Sequence, residues 1–102
     1  MSTHPYANMA AQAGQAEAML KQLANAKRLM ILCSLVQGNK SAGELAEITK
    51  LSSSALSQHL TKMLALDLVA REKKGQYMIY RIASMEVQAL LSTLHLIYCK
   101  HH

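Results

Sequence analysis

The chain has 102 residues, a formal net charge of +5 and a hydrophobic fraction of 51%, which supports one packed domain and not two. Trp and Phe are absent, so the core must come from Leu, Ile, Val, Met and Ala, which suits helix packing, and the basic balance favours a polyanionic partner. Three classes are not expected: membrane-spanning proteins, since no apolar run reaches about 18 residues; secreted proteins, since residues 1–13 show neither a basic start nor an apolar stretch; and enzymes, since no Gly-rich phosphate loop, nucleophile–base set or carboxylate pair is visible.

Residues 1–10 show little periodicity, and residues 1–12 are expected to be flexible. From about residue 13 to 23 the chain is Ala-rich, and Ala16, Met19, Leu20 and Leu23 give a helical stripe. Asn25 suits the N-cap of a second helix. There Leu29, Leu32, Cys33 and Val36 recur at i, i+3, i+4 and i+7, and Gly38-Asn39 is a stop signal. Ser41-Ala-Gly-Glu44 is a capping box opening a short helix with Leu45 and Ile48 inward. Lys50-Leu51 forms a turn, and Ser52 caps a further helix to about residue 66.

That helix has an unusual outer face. Leu56, Leu60, Met63 and Leu64 form one apolar stripe, while Ser54, Ser57, Gln58, Thr61 and Lys62 fall opposite. An ordinary solvated face carries more Glu and Lys, which are better helix formers than serine. Short uncharged side chains suit close approach to base-pair edges. A short capped helix, a tight turn and a second helix with a polar face make a helix-turn-helix pattern.

After Asp67 the period falls to two. Residues 68–73 and 77–82 read as strands, with Met78, Tyr80 and Ile82 on one face and a basic turn, Lys73-Lys74-Gly75-Gln76, between them. Ser84 caps a last helix with Glu86 in its first turn. Val87, Leu90, Leu91, Leu94 and Tyr98 form its stripe, widened by Ile97, with Met85, Ala89 and Leu96 nearly opposite. One protomer needs one stripe, so the second apolar face points to a partner helix or is wrapped by the domain itself. The fold class is mainly α with a β-hairpin wing, a single domain over 1–102.

This order resembles the ArsR family of bacterial winged-helix regulators over about residues 16–99. The resemblance is carried by Ser41-Ala-Gly-Glu-Leu-Ala46, Leu56-Ser-Gln-His-Leu60 and the strand holding Tyr80. Ile31-Leu-Cys-Ser-Leu35 and Ile97-Tyr-Cys99 narrow it to the branch of BigR, SqrR, YgaV and HlyU, whose members carry one cysteine in each place. The resemblance implies a winged helix-turn-helix, a homodimer joined through the first and last helices, and a cytoplasmic transcriptional regulator with no cofactor, no membrane contact and no enzymatic activity. It also implies a Cys33–Cys99 dithiol switch responding to reactive sulfur species or oxidants. Its output in that branch is either repression of sulfide-handling genes or anti-repression of virulence genes.

The partner is then double-stranded DNA with an inverted-repeat operator. Ser53, Ser54, Ser57, Gln58 and His59 are placed near bases, where Gln bonds adenine bidentately and Ser suits several bases. His59 has two further readings, a phosphate contact or packing against the preceding helix. Lys62, Lys73, Lys74 and Arg81 suit phosphates, which position without specifying, and Gln76 and Tyr77 follow the wing along the minor groove. Ser57 and His59 are not a catalytic dyad, because i, i+2 side chains diverge on a helix.

Taken alone, Cys33 inside its stripe is a small buried hydrophobe. Cys99 precedes Lys100, His101 and His102, whose charge lowers a thiol pKa. Only the resemblance brings the two together. A metal-responsive relative is the alternative. It would lack the family's usual ligands, since no Cys lies between Ser41 and Thr49 and Glu86-Val-Gln88 stands where an Asp-x-His pair would lie. His95 and Cys99, spaced i, i+4, with His101 or His102, are the remaining zinc donors; the terminal histidines read equally as a solvated tail.

Overall fold

The computed structural model of the chain describes residues 8–98. The elements run α1 (Met9–Leu23), α2 (Ala26–Gln37), β1 (Lys40–Ser41), α3 (Ala42–Thr49), α4 (Ser53–Ala65), β2 (Val69–Lys74), β3 (Tyr77–Ile82) and α5 (Met85–Tyr98). This is the mainly helical, hairpin-winged order read from the sequence, with two differences. α1 begins about four residues early, its first turn closed by the Gln12 N–H on the Asn8 carbonyl at 3.0 Å. A two-residue strand, β1, pairs antiparallel with β3 through Lys40–Tyr80 and Ser41–Ile79, giving the sheet order β1-β3-β2. Two residues carry no readable period, and β1 exists only because β3 lies beside it.

Side-chain caps set four of the helix starts. Asn25 accepts from the Arg28 N–H at 3.0 Å, Ser52 from Ala55 at 3.2 Å and Ser84 from Val87 at 3.2 Å. The capping box is complete: the Ser41 hydroxyl accepts from the Glu44 N–H at 3.2 Å, and the Glu44 carboxylate accepts from the Ser41 N–H at 2.8 Å. Each bond satisfies a backbone donor with no partner inside its helix. α4 ends in a Schellman turn. Asp67 takes a left-handed φ of 57°, the Leu68 N–H reaches the Met63 carbonyl at 3.0 Å and the Asp67 N–H that of Leu64 at 3.1 Å.

The core is one cluster in which Ile31, Leu32, Leu45, Leu56, Leu60, Met63, Val69, Tyr80, Val87 and Leu91 are buried. It corrects three stripes. On α2 the buried residues are Ile31, Leu32 and Leu35, while Leu29, Cys33 and Val36 are half-buried. α2 packs against α3, α5 and β3 at once, so its apolar arc is wide and a single stripe catches only one side of it. On α3, Ile48 is exposed and Thr49 is fully buried. On α5, Val87 and Leu91 are buried, but Ile97 and Tyr98 are exposed, Tyr98 at 79%.

Candidate nucleic-acid interface

α4 presents the face expected of it. Leu56, Leu60 and Met63 are buried and Leu64 half-buried, while Ser53, Ser54, Ser57, Gln58, Thr61 and Lys62 are exposed. No carboxylate lies on that outer face. The turn before α4 fixes its angle. Lys50 adopts a left-handed conformation (φ 61°, ψ 23°), and its N–H bonds to the Ala46 carbonyl. The buried Thr49 hydroxyl donates to the Leu45 carbonyl at 2.8 Å and accepts from the Leu51 N–H at 3.3 Å. Lys27 of α2 donates its Nζ to the Thr49 carbonyl at 2.6 Å, so α2 holds the turn from behind.

The small residues Ala42, Gly43 and Ala46 of α3 leave a shallow groove beside α4, lined also by Ser53, Ser57 and Tyr80. It brings β3 and the reading face of α4 to one surface. Along the hairpin, Lys73 pairs with Met78 and Arg71 with Tyr80, whereas Lys74 pairs with Tyr77 and Arg81 with Ala70. Directly paired residues share a face. Lys73 therefore emerges on the Tyr80 side, and Lys74, Tyr77 and Arg81 on the other. Lys73, Lys74, Gln76, Tyr77 and Arg81 are all exposed. The two-residue loop has Gly75 at φ 62°, the left-handed first position of a type II′ hairpin turn. Lys74 lies 4.0 Å from Glu72, both solvated, a pair too exposed to tie up the cation.

His59 departs from the exposed row. It is half-buried, and its Nδ1 accepts from Arg28 Nε at 3.4 Å. That bond ties it to α2. Arg28 Nη1 also donates to the side-chain and backbone oxygens of Gln22, at 2.6 and 3.2 Å. Burial, then the charges of Arg28 and Lys62, hold the imidazole pKa below its ordinary value. Gln22, Lys27 and Arg28 were not singled out from the sequence. Arg28 and His59 are 31 positions apart, and nothing local marks the contact.

Cys33 is half-buried on α2. Cys99, His101 and His102 lie outside the described residues, so the dithiol and the zinc donor set lie partly beyond them. Among the described residues, no three His, Cys, Asp or Glu side chains gather as a metal site, and no helix is long and apolar enough to cross a membrane.

A profile of bacterial regulatory proteins of the arsR family matches residues 25–71. The transcriptional activator HlyU of Vibrio cholerae is 41% identical over 90% of this chain and 85% of its own. The HTH-type transcriptional regulator YgaV of Escherichia coli is 44% identical over 91% of this chain and 95% of its own. In structure, reduced HlyU from Vibrio cholerae superposes with a TM-score of 0.87, covering 91% of this chain and 98% of that one. A homodimeric winged helix-turn-helix DNA-binding domain of Mycobacterium bovis, 27% identical, superposes with a TM-score of 0.74 over 99% and 98%. The helix-turn-helix of α3 and α4, the wing of β2 and β3, and these likenesses agree: the chain belongs to the ArsR family of bacterial regulatory proteins and is a winged helix-turn-helix DNA-binding transcriptional regulator.

Proposed function

We propose that the protein is a cytoplasmic homodimer, joined through α1 and α5, that reads an inverted-repeat operator and whose operator affinity is set by a Cys33–Cys99 dithiol. The observation that carries the DNA reading is the outer face of α4, short and polar and without a carboxylate, beside a hairpin with cations on both of its faces. Ser53, Ser54, Ser57 and Gln58 read base edges in the major groove. Lys62, Lys73, Lys74 and Arg81 hold phosphates, and Gln76 and Tyr77 follow the minor groove.

Surface supports the dimer. Met9 and Leu20 of α1 and Met85, Leu96, Ile97 and Tyr98 of α5 contribute exposed apolar side chains, and a second copy would cover them. One structural relative is itself homodimeric.

The switch is supported by the position of Cys33 and by a relative whose structure is that of its reduced form. Cys33 sits on the helix whose N-terminal Lys27 holds the turn before α4. A thiolate attacks the outer sulfur of a small persulfide and displaces a low-molecular-weight thiolate. The second cysteine then attacks the protein-bound persulfide, forming the disulfide and releasing hydrosulfide. Tying α2 to the end of α5 would move the mount of α4.

The test is anisotropy of promoter DNA with reduced, diamide-treated and persulfide-treated protein, alongside Cys33→Ser and Cys99→Ser. The expected result is a change of about tenfold in affinity for the native protein and none for either variant. Unchanged affinity without a Cys33–Cys99 crosslink in mass spectra overturns the switch. Absence of salt-dependent DNA binding overturns the DNA reading.

A further inference from the structure

We infer that Arg28, His59 and Lys62 form a phosphate-binding site for the DNA backbone, set beside the base-reading face of α4, which takes up a proton on His59 when DNA binds. The inference rests on the DNA reading above and adds to it a residue from α2 and a proton.

Arg28 and Lys62 line one concave surface with Gln22, Ala65 and Leu66, and His59 adjoins it through its hydrogen bond from Arg28. Arg28 is held from two sides by uncharged partners, His59 through Nε and Gln22 through Nη1. Its Nη2 has no protein partner among the described residues. The ion pairs among those residues are Lys21–Glu17 and Lys74–Glu72, so no carboxylate neutralises Arg28 or Lys62. Two cations thus line one surface with no carboxylate between them, beside a neutral imidazole. A guanidinium pre-oriented by neutral acceptors, with donors left over, is built for a phosphate, which its planar fork matches. His59 and Lys62, spaced i, i+3, are neighbours on α4, and Gln58 of the base-reading face precedes His59. One helix then carries the base reader and the backbone grip, as DNA recognition requires.

The proton follows from the hydrogen bond. A neutral His59 accepts from Arg28 at Nδ1, and an imidazolium has no acceptor there. The charged groups facing His59 are Arg28 from α2 and Lys62 from its own helix, and both, with burial, oppose its protonation in the unbound protein. A phosphodiester oxygen reverses that field. His59 takes a proton from solvent and donates to the phosphate, and the released Arg28 Nε turns to the same anion. The bound-state pKa exceeds the unbound one, so affinity rises as pH falls, is fully gained below the unbound pKa, and is lost as pH rises through the bound one.

The test uses the full chain with a random-sequence duplex, since a backbone contact is indifferent to sequence. Between pH 8 and pH 6 the native protein should bind roughly three- to tenfold more tightly, and His59→Gln, which keeps an acceptor for Arg28, should remove most of that gain. Arg28→Gln and Lys62→Gln should each lower the salt slope by about one, with Arg28→Lys recovering part of the loss. Thermal denaturation of each variant separates a lost contact from a lost fold. DNA binding that persists with the same pH profile in His59→Gln and the same salt slope in Arg28→Gln overturns the site and leaves the DNA reading standing. No DNA binding by the native protein overturns the reading itself. Inorganic phosphate that shifts the His59 ring resonances, with the DNA profiles of the variants unchanged, marks a site for the small anion and overturns the backbone assignment.

Discussion

Thr49→Val is the sharpest test of how α4 is mounted. Thr49 is fully buried at the end of α3, and valine has nearly its shape, so no cavity opens. Hydrophobicity alone predicts stabilisation of about 0.8 kcal/mol, the value of one more buried methyl-sized group. The hydrogen bonds predict the reverse. The Leu51 N–H, half-buried and 3.3 Å from the Thr49 hydroxyl, loses its acceptor, at a cost of about 1–3 kcal/mol. The bond to the Leu45 carbonyl matters less, because a helical carbonyl can gain little from a second donor. The hydroxyl wins, and the net loss is about 1 kcal/mol, or a fall in Tm of about 4–8 °C for a domain of this size. Melting is followed by circular dichroism at one fixed protein concentration, since the Tm of the proposed dimer depends on it. Amide exchange supplies the specific readout: Leu51 should exchange faster in Thr49→Val and unchanged in Thr49→Ser. A Thr49→Val protein as stable as the native one, with Leu51 still protected, would refute the reasoning.

Further predictions follow from the caps and the DNA face. The Glu44 carboxyl is held below its ordinary pKa by the Ser41 backbone N–H and then by the Ser41 side chain. Its contribution to stability is therefore complete above the ordinary value of 4.5 and is lost as pH falls through the lower folded-state value. Glu44→Gln should flatten that acid limb in urea titrations, and an unchanged limb would count against the charge. Asp67→Gly, at the left-handed residue after α4, should stabilise by about 0.5 kcal/mol in urea denaturation, since glycine adopts that conformation without a Cβ penalty. Gln58→Ala should lose discrimination between promoter and random DNA, while Lys74→Ala should weaken both alike and reduce the salt slope by about one. Equal loss on both DNAs for Gln58→Ala would remove it from base reading.

Local chemistry determined much by itself. Asn25, Ser41, Ser52 and Ser84 each cap the helix expected of them, because a cap bond spans only three residues. The buried stripe and polar outer face of α4 follow from a 3.6-residue period on a helix packed from one side. The hairpin's turn is set by Gly75 and the period-two strands around it. Tertiary packing decided the rest. α2 is covered by α3, α5 and β3, so its core residues are Ile31 and Leu35 as well as Leu32, not the single stripe its spacing suggests. Thr49 is inside and Ile48 outside because burial of the threonine is matched by hydrogen bonds to Leu45 and Leu51, which hydropathy cannot count. β1 exists only against β3. Above all, His59 stands among serines on paper, yet the fold turns it to Arg28 across 31 positions: a helix period sets which residues share a face, but only the packing of α1 and α2 sets what that face meets.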